Sequence, residues 1–153
     1  MTKKIFSLVL LILVVVSLTL WLAFRLKASQ PTRVLVGNKV LEVTVARTLA
    51  EREKGLSDRA SLCPDCGLLF LFDQPGIYPF WMRKMRFDID ILWIKGNQIV
   101  DITYGARKPS QGEFDAPRTI YQSQVPVDKV LEVNAGWVTA KGIKVGDEVS
   151  LGQ

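Results

Sequence analysis

Two hydrophobic patterns divide the chain. Residues 5–24, IFSLVLLILVVVSLTLWLAF, run for twenty positions without a charge. After Pro31 the apolar positions come in short runs, broken by Gly-Asn pairs, Pro-Gly and charged clusters. The first pattern, wound as a helix, reaches about 30 Å, the thickness of a bilayer's hydrocarbon core. Its only polar residues are Ser7, Ser17 and Thr19, whose hydroxyls can bond back to the helix backbone. A cleaved signal peptide has a shorter apolar core and small residues before the cut, whereas this run ends Trp21-Leu22-Ala23-Phe24-Arg25. The pattern predicts an uncleaved signal anchor over 5–24 behind a cytoplasmic tail of residues 1–4. A polar linker over 25–32 then leads to an extracytoplasmic domain over 33–153. Lys3 and Lys4 precede the run and Arg25 and Lys27 follow it. Charge therefore does not fix the orientation, and the outward arrangement rests on the shortness of the N-terminal tail.

Beyond the linker the pattern is that of strands. Val34–Val36 and Lys39–Val45 flank Gly37-Asn38, and residues 86–94 and 98–104 flank Gly96-Asn97, so each pair reads as a tight hairpin. Thr48-Leu49-Ala50-Glu51 fits a capping box and opens a short helix near 49–54, with Gly55 as its stop. Gly67–Phe72 is continuously apolar and reads as a strand buried on both faces, ended by a turn at Gln74-Pro75-Gly76. Residues 105–118 form a long polar loop. Strands at 119–122 and 129–133, two helical turns from Ala135 to Lys141 and a last strand at 145–151 complete the chain. About nine short strands and two short helices predict a mainly β domain, a small antiparallel barrel or rolled sheet, behind one N-terminal transmembrane helix.

The segment Phe80–Ile94, FWMRKMRFDIDILWI, breaks the plain pattern by placing three basic residues and two carboxylates among core-type side chains. Read as a strand from residue 86, one face carries Phe87, Ile89, Ile91 and Trp93. The other carries Arg86, Asp88, Asp90, Leu92 and Ile94, passing from wet to dry with Asp90 at the crossover. Two readings stay open. In the structural one, Asp88 pairs with Arg86 and Asp90 ties down the amides of a neighbouring loop. In the functional one, the segment is a pocket rim, with apolar wall from Trp81 and Met82 and charge from Arg83 or Lys84. Tyr121 and Glu132 either join Asp90 around that cavity or are an ordinary strand residue and an outward-facing acid.

Charge narrows the classes. The net charge is +5 over 153 residues, but residues 1–30 hold four basic residues and no acid. The other 123 residues hold sixteen basic and fifteen acidic side chains. The excess belongs beside lipid headgroups, and no basic stripe remains for nucleic acid. There is no histidine, which excludes histidine triads and histidine metal ligands. Cys63-Pro64-Asp65-Cys66 is the whole cysteine content. One pair without histidine falls short of a closed zinc site, so no metal and no cofactor is expected. A strand-like run follows the pair directly, where redox C-x-x-C motifs have a helix. A structural disulfide or a reduced bystander pair ranks first, a thiol redox centre second and zinc third.

Many short motifs then occur in order: Glu51-Arg52 with Gly55-Leu56; Arg59 and Leu62; Gly67-Leu68-Leu69-Phe70; Phe80-Trp81-Met82; Asp90-Ile91; Leu131-Glu132; and Ala135-Gly136 with Gly146-Asp147. Together, over roughly residues 34–151, they resemble the domain of unknown function 192 family. The resemblance implies a small β-rich domain, often exported or membrane-anchored, with no established activity. It puts Trp81-Met82, Asp90 and Leu131-Glu132 on the family's signature positions. Where the family usually has Asn-Thr after Met-Lys, this chain has Lys84-Met85.

The expected function is therefore a membrane-anchored extracytoplasmic module that binds a small ligand, an envelope polymer or a protein partner. Its candidate binding residues are Trp81, Met82, Arg83, Asp88, Asp90, Tyr121 and Glu132. The alternative is a carboxylate-based hydrolase of envelope glycans using Asp88, Asp90 and Glu132. Thiol redox chemistry at Cys63 and Cys66 comes third.

Overall fold

The computed structural model describes residues 12–19 and 32–151. Two compact units are present, one within residues 1–30 and one within 31–153. In the first, residues 12–19 form helix α1, in which Ser17 Oγ donates to the Val14 carbonyl and Thr19 Oγ1 to that of Val16, each at 2.9 Å. The rest of the expected anchor, the tail 1–4 and nearly all of the linker lie outside the described residues. Among the described residues no helix is long and apolar enough to cross a membrane.

The second unit is built on a curled seven-stranded sheet, a half-barrel. Its strands are β1 (Thr32–Val36), β2 (Lys39–Ala46), β3 (Cys66–Gly76), β5 (Ile89–Lys95), β6 (Gln98–Ala106), β8 (Val127–Asn134) and β9 (Val149–Leu151). They lie in the order β6-β5-β8-β3-β2-β1-β9. A separate ribbon pairs β4 (Phe80–Trp81) with β7 (Ile120–Tyr121). Both Gly-Asn hairpins form as the pattern predicts, with Gly37 and Gly96 at φ +56° and +59° in the first turn position, a conformation glycine adopts without a Cβ clash. Pairing is antiparallel except between β2 and β3. That parallel step needs a crossover, which residues 47–65 supply. It opens with helix α2 (Leu49–Lys54), and Thr48 and Glu51 form the expected capping box. Helix α3 (Trp137–Lys141) follows β8.

The two edges of the sheet meet at one end. Ile99 N donates to the Asp147 carbonyl at 3.0 Å, Gly146 N to Ile99 O at 2.8 Å and Val149 N to Asn97 O at 2.8 Å. Inside the curl lies one core, with Val34, Leu41, Leu69, Leu92, Leu131 and Val138 among its members. On the outer face lies a second, holding Leu56, Phe70, Met82, Ile91, Trp93 and Val130. The crossover and the β4–β7 ribbon cover this second core, so the central strands are buried on both sides.

That outer layer corrects the sequence reading of the charged strand. β5 begins at Ile89 rather than residue 86 and is buried at every position from Ile89 to Ile94. Arg86 and Asp88 precede the strand and are exposed while Asp90, Leu92 and Ile94 are buried, so the wet-to-dry change falls at the strand's start rather than along it. The turn expected at Gln74–Gly76 is instead an irregular end of β3, which regains pairing at Gly76 with Val127. The long loop is also shorter than expected, because β6 extends to Ala106 and Gln111–Glu113 forms a turn of 3-10 helix.

Candidate functional site

Glu132 stands between Leu131 and Val133, both core residues inside the curl. Strand alternation therefore turns its side chain to the outer face. There it lies beside Leu68 on β3 and Ile91 on β5, its register partners. Asp90 is paired with Val133 and so faces the opposite side of the sheet. The two buried carboxyls of the sheet are thus separated by the sheet itself.

The outer layer leaves a cavity of about 230 Å³ over Glu132. Phe70, Phe72, Tyr78, Phe80, Trp81 and Met85 wall it, and α2 with the following Leu56 closes one side. The aromatic walls are packed against each other. Phe72 stacks on Tyr78 with centroids 3.6 Å apart, and Phe80 meets Phe70 edge-on at 4.9 Å and Trp93 at 5.4 Å. The rim cations are already engaged. Arg52 Nη1 donates to the carbonyls of Arg47 and Leu71 at 2.6 and 2.9 Å, and its guanidinium lies 5.2 Å from the Phe72 ring centroid. Lys54 pairs with Asp58 at 2.7 Å.

Glu132 is 6% exposed, and its Oε2 has no hydrogen-bond partner among the described residues. Burial pushes the carboxyl's pKa up from 4.5 to about 8, and the Arg59 charge offsets only part of that. At neutral pH the group is a carboxylic acid, able to donate one hydrogen bond and accept others. The cavity therefore joins apolar aromatic walls to one proton-bearing polar group.

The remaining candidates fall elsewhere. Trp81 shares the cavity with Glu132 and is half exposed. Met82 and Tyr121 border a second, polar cavity, which shares no lining residue with the first. Arg83 is exposed, and its carbonyl accepts from Ser57 Oγ at 2.8 Å. Asp90, 1% exposed, accepts from Gly105 N at 2.8 Å and Val138 N at 3.2 Å, which is the structural role weighed for it above. Asp88 accepts from Lys108 N at 2.8 Å, and neither an Arg86 pair nor an approach to Glu132 is formed. Asp90 and Glu132 face opposite sides of the sheet and so cannot act as a pair, while Asp88 and Asp90 are both engaged by amides of the loop after β6. Tyr121, Asp90 and Glu132 likewise do not surround one cavity.

Cys63 and Cys66 are joined in a disulfide. The loop they close is bound at both ends of the β8–α3 segment. Asn134 Nδ2 donates to the Cys63 carbonyl at 2.8 Å, while Asp65 accepts from Trp137 Nε1 at 3.0 Å and Lys141 Nζ at 2.6 Å. These bonds hold the Asp65 carboxyl below its ordinary pKa. β3 starts at Cys66 itself, so no helix N-terminus supports a thiolate there.

Sequence reasoning missed the aromatic walls. Phe70 and Phe72 on β3, then Tyr78 and Phe80 beyond Pro75-Gly76, are spaced two apart, which is the strand signature of a shared face. That spacing was the available signal.

Residues 32–151 match the family described as an uncharacterised ACR, domain of unknown function 192. The chain belongs to the domain of unknown function 192 family. No curated protein matches it. A crystal structure from Sinorhizobium meliloti 1021, of a protein proposed to be a transcription regulator, is 30% identical with a TM-score of 0.72. It covers 80% of this chain and 94% of its own. A protein of unknown function from Novosphingobium aromaticivorans DSM 12444 is 32% identical with a TM-score of 0.69, covering 77% of this chain and 83% of its own. In this member, Lys84 occupies the position where the resemblance expects asparagine. It sits at φ +55°, a left-handed conformation that asparagine tolerates better than lysine.

Proposed function

We propose that this domain of unknown function 192 protein is a membrane-tethered extracytoplasmic module. It binds a small, largely apolar ligand in the cavity over Glu132. The observation that carries the binding role is the unpartnered, buried Glu132 Oε2 at the base of an aromatic-walled cavity. A buried polar group without a partner costs stability, and a ligand acceptor that takes its proton in a hydrogen bond removes that cost. The cavity suits one aromatic ring or a short chain ending in a carbonyl or ether oxygen. The location rests on the uncharged run 5–24 and its basic flanks.

The full-length chain in polyoxyethylene detergent tests the pocket with 4-fluoroacetophenone, observed through its fluorine resonance. Wild type broadens and shifts the line saturably, and Trp81→Ala and Glu132→Leu each weaken binding about tenfold. Binding also fades as pH rises through about 8, where Glu132 loses its proton. Equal line broadening by wild type and both variants would sink the assignment. For the location, alkaline carbonate should leave the protein in the membrane pellet and detergent should release it. Protease added to intact cells should remove the domain.

A further inference from the structure

The second cavity, of about 320 Å³, lies between the loop that follows β6 and the β4–β7 ribbon. Its chemistry is opposite to that of the first. Arg107, Lys108, Ser110, Thr119 and Tyr121 line it with cations and hydroxyls, and Glu113 is the one carboxylate. Among the described residues neither Arg107 nor Lys108 has an ion-pair partner, and the Ser110 hydroxyl makes no cap bond to the 3-10 turn that follows it. Glu113 is held at the edge by Arg118 Nε at 3.5 Å.

The loop is fixed in place. Asp90, from within the sheet, holds Gly105 N, and Gly105 takes φ +57° to turn the chain out of β6. Asp88 holds Lys108 N. Further on, Phe114 O accepts from Lys84 N at 2.8 Å and Ser110 O from Glu113 N at 3.0 Å. One oxygen of Asp90 and one of Asp88 thus hold backbone amides on either side of Arg107, setting where the two cations emerge, while the other Asp90 oxygen holds Val138 N of α3. Asp88 and Asp90 thereby act as scaffold for this loop and for the start of α3.

We propose that this cavity binds a hydroxylated anion, namely a sugar that carries a carboxylate or phosphate group. Arg107 and Lys108 meet the anionic group. The hydroxyls of Ser110, Thr119 and Tyr121 and the Glu113 carboxylate meet the sugar hydroxyls, since donors and acceptors stand side by side there. No residue lines both this cavity and the one over Glu132, so the two can be tested separately.

The test follows backbone amides of the full-length chain in polyoxyethylene detergent by NMR. The added probes are glucuronate, glucose 6-phosphate, glucose and inorganic phosphate. Glucuronate, glucose 6-phosphate or both should shift residues 105–121 saturably, which of them does so naming the anionic group. Glucose and inorganic phosphate should bind at least about tenfold more weakly. The double variant Arg107→Gln/Lys108→Gln, exposed and outside the core, should weaken sugar-anion binding about tenfold or more, and Tyr121→Phe about threefold. No saturable shift with either sugar anion overturns the proposal, as does undiminished binding by the double variant. Phosphate binding as tightly as glucose 6-phosphate would leave a bare oxyanion site and overturn the sugar assignment.

Discussion

At the scale of single residues, the protonation of Glu132 has a measurable signature. Its carboxyl releases its proton near 4.5 in the unfolded chain and at about 8 in the fold. Between those values the native state holds a proton that the unfolded state has lost, so stability falls as pH rises across that window. The loss is absent below 4.5 and complete above about 8. Glu132→Gln keeps the shape of the protonated acid and cannot ionise. We expect urea unfolding to show the variant more stable than wild type by about 4 kcal/mol at pH 9, with the two within about 1 kcal/mol at pH 5. Parallel profiles at both pH values would mean that Glu132 is ionised in the fold. Lys84 offers a second case. Asparagine at this left-handed position should raise stability by about 0.5–1 kcal/mol, visible as a higher urea midpoint. An unchanged or lower midpoint would show that Lys84's pair with Asp115, 3.5 Å long and exposed, outweighs the backbone term. Local sequence marked Asp90 as unusual, and the family resemblance singled out Glu132. Neither revealed that they face opposite sides, because that depends on the register of β5 against β8, which no stretch of either strand contains.

At the scale of elements, the sequence was clearest where one short stretch decides the outcome. The Gly-Asn turns, the Thr48–Glu51 capping box and the doubly buried run Gly67–Phe70 are all such stretches. It misled where the decision is non-local. β5 looks half-wet from residue 86 onward, yet the crossover and the β4–β7 ribbon, distant in sequence, bury both of its faces. Gly67 shows how tightly β3 is set between its neighbours. A Cβ there would lie 2.7 Å from the Glu132 carbonyl oxygen, with Leu41 and Leu131 side chains at 3.1 and 3.2 Å. Gly67→Ala must push β3 away from β8, the strand that carries Glu132. We expect a loss of about 2–3 kcal/mol in chemical unfolding and weaker binding at the cavity over Glu132. A loss below about 0.5 kcal/mol would mean that the β3–β8 spacing relaxes freely.

At the scale of the whole domain, curling brings the first and last strands together. β1 lies between β2 and β9 rather than at an edge, and the seam from Asn97–Ile99 to Gly146–Val149 joins the two ends of the sheet. Val149, buried in the inner core, is the main apolar link of β9 to that seam. Val149→Ala should therefore cost about 1–2 kcal/mol and raise amide exchange at Ile99 and Gly37 together, since Asp147 and Glu148, just before β9, accept from both. Faster exchange at only one of the two would show that the seam and the β1–β9 ladder open separately.

The interior position of β1 bears on mechanics. A pull that enters the domain at Thr32 runs along a strand laced to β2 over Thr32–Val36 and to β9 over Val34–Val36. Such a load must slide both ladders at once instead of peeling one bond after another. A tether attached there would transmit tension while the two cavities, built from other strands and loops, kept their shape.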